Sequence, residues 1–98
     1  MNKNEKKIIE ITDNDLQFGE INNCRKCPIA LALKRNGYQN PEVQGESISY
    51  RDKNFNLIMK YNTQRLESKI HTIDERKTIA PFQIAEYHDR FSLYIPRK

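Results

Sequence analysis

The sequence predicts a small α+β domain in the order β-α-α-β-β-α-β-β, with a mostly antiparallel sheet and its helices packed on one face. Three observations carry this expectation. A chain of 98 residues, 37% apolar and without Trp, fits one domain with a single modest core. Short β-branched or alternating segments recur along it, which is the period-2 pattern of half-buried strands. Between them lie stretches with helix punctuation and helical spacing. Strand pairs close enough for hairpins, separated by helices, read as α+β rather than as a parallel α/β sheet. No repeat, low-complexity run or linker divides the chain. Residues 1–98 are therefore read as one domain, with the polar residues 1–6 expected to fray.

Each element has its own reason. KIIEIT (7–12) is short and β-branched, a strand. Thr12 is suited to cap a helix over about 13–18, with Asp15 three residues on, and Gly19 ends that turn. In CRKCPIALALKRNG, the alternation of Ile29, Leu31 and Leu33 with alanines suits a strand. The punctuation argues for a helix over about 28–36: Pro28 fits the first helical position, Ala and Leu are strong helix formers, Lys34 and Arg35 suit the C-terminal dipole, and Asn36-Gly37 is a stop. Its apolar residues point all round, so its first two turns should be buried. GYQNPEVQG reads as a loop. ESISYR (46–51) alternates, with Ile48 and Tyr50 on one face. FNLIMKY (55–61) puts Phe55, Leu57, Met59 and Tyr61 on one face, and the two form a hairpin around DKN. Leu66, Ile70 and Ile73 fall at i, i+4, i+7 and predict a helix over about 63–75, capped by Asn62 or Thr63. PFQIAEY (81–87) and RFSLYI (90–95) are two strands joined at His88-Asp89.

Composition narrows the function classes. The N-terminal MNKNEKKIIEIT is charged, so a secretory leader is not expected, and no apolar run approaches membrane-spanning length. Two cysteines three positions apart cannot build a disulfide framework, and a cytoplasmic location with reduced thiols is the expectation. The net charge of +4 is unevenly placed. Residues 1–50 carry seven Lys/Arg and seven Asp/Glu, and residues 51–98 carry ten and six. A pI near 9.1 permits an anionic partner without requiring one. The thin apolar content makes a homo-oligomer the expected assembly.

Cys24 and Cys27 admit three readings. A zinc site takes four ligands, and the chain offers one Cys-x-x-Cys with His71 and His88, whose spacing does not match the close His pair of a classical finger. Two subunits sharing four thiolates would satisfy a metal. A redox reading rests on Cys27 at a helix N-terminus, where the dipole favours a thiolate, but GEINN before Cys24 is not the strand a thioredoxin-like context supplies. The bland reading packs Cys27 as a small apolar residue, and one isolated pair is a weak motif.

A basic stripe is the second candidate. Arg65, Lys69 and Arg76 lie near one face of the predicted helix at 63–75 and just beyond it, and Arg51, Lys53, Lys60 and Lys77 extend the charge. Such groups can hold phosphates, Arg through a bidentate fork. Glu67, Asp74 and Glu75 are interleaved, so a plain solvated face is the competing reading. The chain has five tyrosines, and one such as Tyr50 or Tyr61 can stack on a base, although most suit strand positions at the core edge. There is no Gly-rich phosphate loop, no HExxH, and no Ser or Cys nucleophile with His and carboxylate in recognisable spacing. The Glu67–His71 pair is an ordinary i, i+4 pair. No enzymatic activity and no cofactor are expected.

ITDNDLQFGEINNCRKCPIALALKR and IDERKTIAPFQI resemble a group of small, mostly uncharacterised phage and prophage-associated proteins. These open with a strand ending in Ile-Thr, followed by a turn with Gly, a Cys-x-x-Cys-Pro-(Ile/Val)-Ala-Leu-Ala helix and, later, an acidic residue before a Pro-Phe strand. The resemblance covers roughly residues 8–36 and 70–84. It implies a mobile-element setting rather than an activity, since such proteins usually act by binding. The expected function is a non-enzymatic, phage-type binding protein that sequesters or blocks an anionic ligand, a nucleotide-derived signal of host anti-phage defence. Arg65, Lys69, Arg76 and Arg51 would serve the phosphate, and Tyr50 or Tyr61 the base. A small nucleic-acid-binding regulator and a Cys24/Cys27 metal or redox protein are the alternatives, and a host factor is a further possible partner.

Overall fold

The computed structural model describes residues 6–75 and 79–95. It contains β1 (Lys7–Ile11), α1 (Asp13–Phe18), α2 (Pro28–Arg35), β2 (Gln39–Val43), β3 (Ser47–Arg51), β4 (Leu57–Asn62), α3 (Gln64–Asp74), β5 (Phe82–Glu86) and β6 (Arg90–Tyr94). The predicted elements occur in the predicted order. One strand is added: Gln39–Val43 lies in the stretch read as a loop. Pro41 obscured it, because proline removes a ladder donor, and β2 tolerates it as the sheet's edge strand with a register shift between Gln39 and Glu42.

The sheet order is β1-β5-β6-β4-β3-β2. Four pairings are antiparallel, and β4 meets β6 in parallel. That parallel junction is short, pairing Tyr61 with Arg90 and Asn62 with Phe91. The sheet is therefore two three-stranded halves, β1-β5-β6 and β4-β3-β2, joined over two residues.

Paired residues point to the same side of a sheet. The register thus places Ile9, Ile11, Phe82, Ile84, Phe91, Leu93, Ile48 and Ile58 on one inner face. All of these but Ile58 meet Ile29, Ala30 and Leu33 of α2 and Leu66, Ile70 and Ile73 of α3 in one core. Burial of each large aliphatic or aromatic side chain is worth about 1.5–3 kcal/mol. The molecule measures 39 × 35 × 22 Å. Its thin dimension fits one sheet and one helix layer.

The helix boundaries follow their side chains. Thr12 and Asp15 form a reciprocal capping box at α1. Cys27 caps α2, its Sγ accepting from the Ala30 N–H at 3.4 Å. Thr63 caps α3. α2 ends in a Schellman motif: Tyr38 N–H donates to Leu33 O and Gly37 N–H to Lys34 O, both at 3.0 Å, with Gly37 at φ +92°. Gly19 matters through space rather than backbone freedom. A Cβ there would lie 2.4 Å from Pro28 N and 2.5 Å from its Cδ. Gly19→Ala is expected to destabilise the fold by about 1–3 kcal/mol through overpacking at the α1–α2 contact. Denaturant unfolding checks this, and an unchanged midpoint would mean the contact relaxes freely.

Candidate functional site

The sequence places charged residues in the inward phase of two strands. On β5 the inner face runs Phe82, Ile84, Glu86, and on β4 it runs Ile58, Lys60, Asn62. Glu86 ends its strand where the two half-sheets diverge, and Lys60 faces it from the other half. Lys60 Nζ donates to Glu86 Oε2 at 2.8 Å and to the Tyr87 carbonyl at 2.8 Å. The Schellman turn delivers Tyr38 to the same point, and alternation on β3 delivers Tyr50. Both hydroxyls donate to Glu86, one to each carboxylate oxygen. The tyrosine rings meet edge to face, 4.8 Å apart at 85°, and Tyr50 meets Phe91 in the same manner at 6.4 Å.

The Lys60–Glu86 pair is largely out of water, its side chains 16% and 12% exposed. Desolvation by itself would raise the Glu86 pKa. Donation from Lys60, Tyr38 and Tyr50 outweighs it and holds the carboxyl below its ordinary range. Burial, and then the hydrogen bond to Glu86, push both tyrosine pKa values well above the ordinary range. At neutral pH Glu86 is therefore a carboxylate and both tyrosines are neutral phenols.

A cavity of about 300 Å³ opens beside this cluster, lined by Lys7, Tyr38, Tyr50, Arg51, Lys53 and Glu86 among others. Lys7 pairs with Glu86 in the register, but its Nζ lies 4.6 Å over the Tyr38 ring and donates to the Asn36 carbonyl. Arg51 reaches the cavity rim while its guanidinium lies 5.1 Å over the Phe55 ring. The Asp52 carboxylate in this wall is committed to the turn, accepting from the Asn54 and Asn56 N–H groups at 2.9 Å. With Glu86 answered by Lys60, the cavity mouth carries a net positive charge, Lys7, Arg51 and Lys53 against Asp52.

Of the sequence candidates, Tyr50 and Arg51 come together here. Tyr61 lies on the opposite face of the sheet, 72% exposed. Arg65 is exposed on α3. Lys69 lies 5.3 Å over the Phe82 ring and lines a separate cavity of about 500 Å³ with Glu10, Leu93 and Tyr94. Arg76 and Lys77 fall outside the described residues. Cys24 and Cys27 line a third cavity of about 210 Å³ with Asp74 and Ile73, and burial raises the Cys27 thiol pKa. Among the described residues no group of three or more His, Cys, Asp or Glu is placed to hold a metal ion. Nor is any helix among them long and apolar enough to cross a membrane.

Glu86, Tyr38 and Lys7 were not named as site residues from the sequence, and Lys53 and Lys60 were named only as extensions of the basic stripe. The available signal was phase: a Glu and a Lys each following an inward Ile by two positions. Comparison with protein-family models, curated proteins and solved structures found no match.

Proposed function

We propose that this protein is a non-enzymatic binder of a small organic anion of nucleotide type, held in the cavity beside Glu86. The observation that supports it is the division of labour in that cavity. The Glu86 cluster uses both phenol hydroxyls and holds the Tyr38 and Tyr50 rings rigid, while Lys7, Arg51 and Lys53 ring the mouth with positive charge. The half-buried Tyr50 ring next to cations suits a planar base carrying phosphate, while the buried Tyr38 ring supports it edge to face beneath Lys7. Stacking contributes about 1–3 kcal/mol per base, and charge-assisted bonds about 1.5–3 kcal/mol each. A non-catalytic role fits Glu86 itself. A carboxylate with a depressed pKa and donors on both oxygens is a poor proton acceptor at neutral pH. With the resemblance to phage-associated proteins, the biological ligand we propose is a nucleotide-derived signal of host defence, removed by sequestration.

Calorimetry with nucleoside monophosphates, diphosphates and cyclic nucleotides tests this reading. At least one is expected to bind, and Lys53→Ala and Lys7→Ala are each expected to weaken it at least about tenfold. Arg65→Ala should leave it unchanged. Absence of any binding at millimolar nucleotide overturns the reading. Steeply salt-dependent binding of mixed-sequence DNA or RNA, with no nucleotide binding, would replace it with the nucleic-acid alternative.

A further inference from the structure

The cysteine pair takes no part in the cavity beside Glu86, and the fold gives it a setting that its spacing alone did not. Residues 24–26 form a turn between α1 and α2. Three backbone hydrogen bonds fix this turn. Lys26 N–H donates to the Asn23 carbonyl at 3.1 Å, Glu20 N–H to the Lys26 carbonyl at 2.8 Å, and Val43 N–H of β2 to the Cys24 carbonyl at 2.7 Å. Cys27 follows directly as the N-cap of α2, its Sγ accepting from the Ala30 N–H. A turn brings residues three apart to within about 7 Å between Cα atoms, close to the span a disulfide bridges. Both side chains are free thiols, Cys24 half-buried and Cys27 buried. Both line the cavity of about 210 Å³ at the C-terminal end of α3, whose walls include Ile29, Val43, Ile73 and Asp74.

From this we infer that Cys24 and Cys27 form a reversible dithiol site that exchanges with a low-molecular-weight disulfide of glutathione type. Their burial divides the work. Cys24 is the sulfur an incoming disulfide reaches, and Cys27 is the neighbour that resolves the adduct. The Cys24 thiolate attacks one sulfur of the small disulfide, whose S–S bond breaks. A mixed disulfide forms on Cys24, and the first small thiol leaves with the proton that Cys24 gave up. Cys27 then loses its proton and attacks the Cys24 sulfur, and the second small thiol leaves with that proton. Two electrons pass from the protein's thiols to the small disulfide, which becomes two thiols. The cavity admits a sulfur and a few attached carbons, which suits a small disulfide rather than one embedded in a folded protein. Closing a loop of four residues removes little chain entropy, so the bond is an exchanging one and not a structural staple. Burial raises the Cys27 thiol pKa, which makes the second step the slower one at neutral pH.

Mass spectrometry of the full chain incubated with glutathione disulfide tests the inference. The wild type is expected to pass through a single glutathione adduct, then to lose the mass of two hydrogen atoms, and to regain it in excess reduced glutathione. Resolution of the adduct should accelerate as pH rises. Cys27→Ser is expected to stop at one stable adduct, and its hydroxyl keeps a cap on the Ala30 N–H, so it should fold. Cys24→Ser is expected to react at least about a hundredfold more slowly than the wild type, because the remaining thiol is buried. A wild type that stops at one adduct, carries two adducts, forms disulfides only between chains, or reacts no faster than Cys24→Ser would overturn the proposal. Nucleotide binding by Cys24→Ser at wild-type strength leaves the cavity beside Glu86 intact, so the two proposals fail separately.

Discussion

Glu86→Ala is expected to lower the unfolding free energy by about 3–5 kcal/mol, the cost of leaving a buried charge without its partner. For a domain of this size that is a fall in Tm of roughly 4–8 °C per kcal/mol. Lys60 would keep only the Tyr87 carbonyl, and the buried Tyr38 and half-buried Tyr50 phenols would lose their acceptor. The cost arises from what is left behind rather than from the worth of the pair. Replacing the whole cluster with Glu86→Leu, Lys60→Met, Tyr38→Phe and Tyr50→Phe should therefore recover most of the loss, because apolar groups of similar volume replace a buried pair at little cost. A fourfold variant as unstable as Glu86→Ala would show that the ion pair itself supplies the stability.

The pH profile gives a second check on the same residue. Because the folded-state pKa of Glu86 is depressed, its contribution is complete above the ordinary carboxylate value of 4.5. It is lost as pH falls through the lower folded value. The stability gap between wild type and Glu86→Gln should be constant near neutrality and close only under acid. The raised tyrosine pKa values act at the other limit. Their contribution is complete below the ordinary tyrosine value of 10.0 and is lost as pH rises above it, since the unfolded chain then releases protons the folded one retains. Urea titrations across pH read both edges.

Asp15→Ala is the second large expected effect, a loss of about 2–3 kcal/mol. Asp15 is buried within a six-residue helix, and its carboxylate serves three groups. It accepts from the Thr12 N–H at 2.9 Å, from the Thr12 hydroxyl at 3.0 Å and from Arg35 at 2.6 Å. The capping interaction accounts for about 0.5–2 kcal/mol, and the charge-assisted bond to Arg35 adds to it. Arg35 is 46% exposed and also holds the Glu10 carbonyl at 2.8 Å, so it rehydrates when freed, which bounds the cost. Thr12→Ala removes only part of the cap and should cost about 1 kcal/mol. Equal losses in the two variants, measured by denaturant unfolding, would mean that Arg35 adds nothing to the fold.

Much of the architecture was legible in local chemistry. Thr12 with Asp15, Pro28 with Asn36-Gly37, and Leu66-Ile70-Ile73 each encode an element within a dozen residues, and each element lies where that code puts it. Strand β2 was not legible because QNPEV has no alternating apolar pattern. It is a strand only because β3 offers it a ladder. The candidate site was legible in part. Tyr50 and Arg51 were named on residue type and occupy the cavity with Lys53, which was read as an extension of the basic stripe, but Lys7 neighbours them only in three dimensions.

The β3–β4 hairpin shows where the boundary falls. The sequence by itself determined that Leu57, Met59 and Tyr61 share one face and that Ile58 and Lys60 share the other, because strand periodicity is a local property of the backbone. Only the tertiary structure decided which face is inside. Lys60 is drawn inward by an acceptor 26 residues later in the chain, Glu86. The same closure that satisfies this charge turns three apolar side chains out to solvent. No local rule weighs one buried ion pair against an exposed apolar stripe, since that balance exists only once the two half-sheets meet.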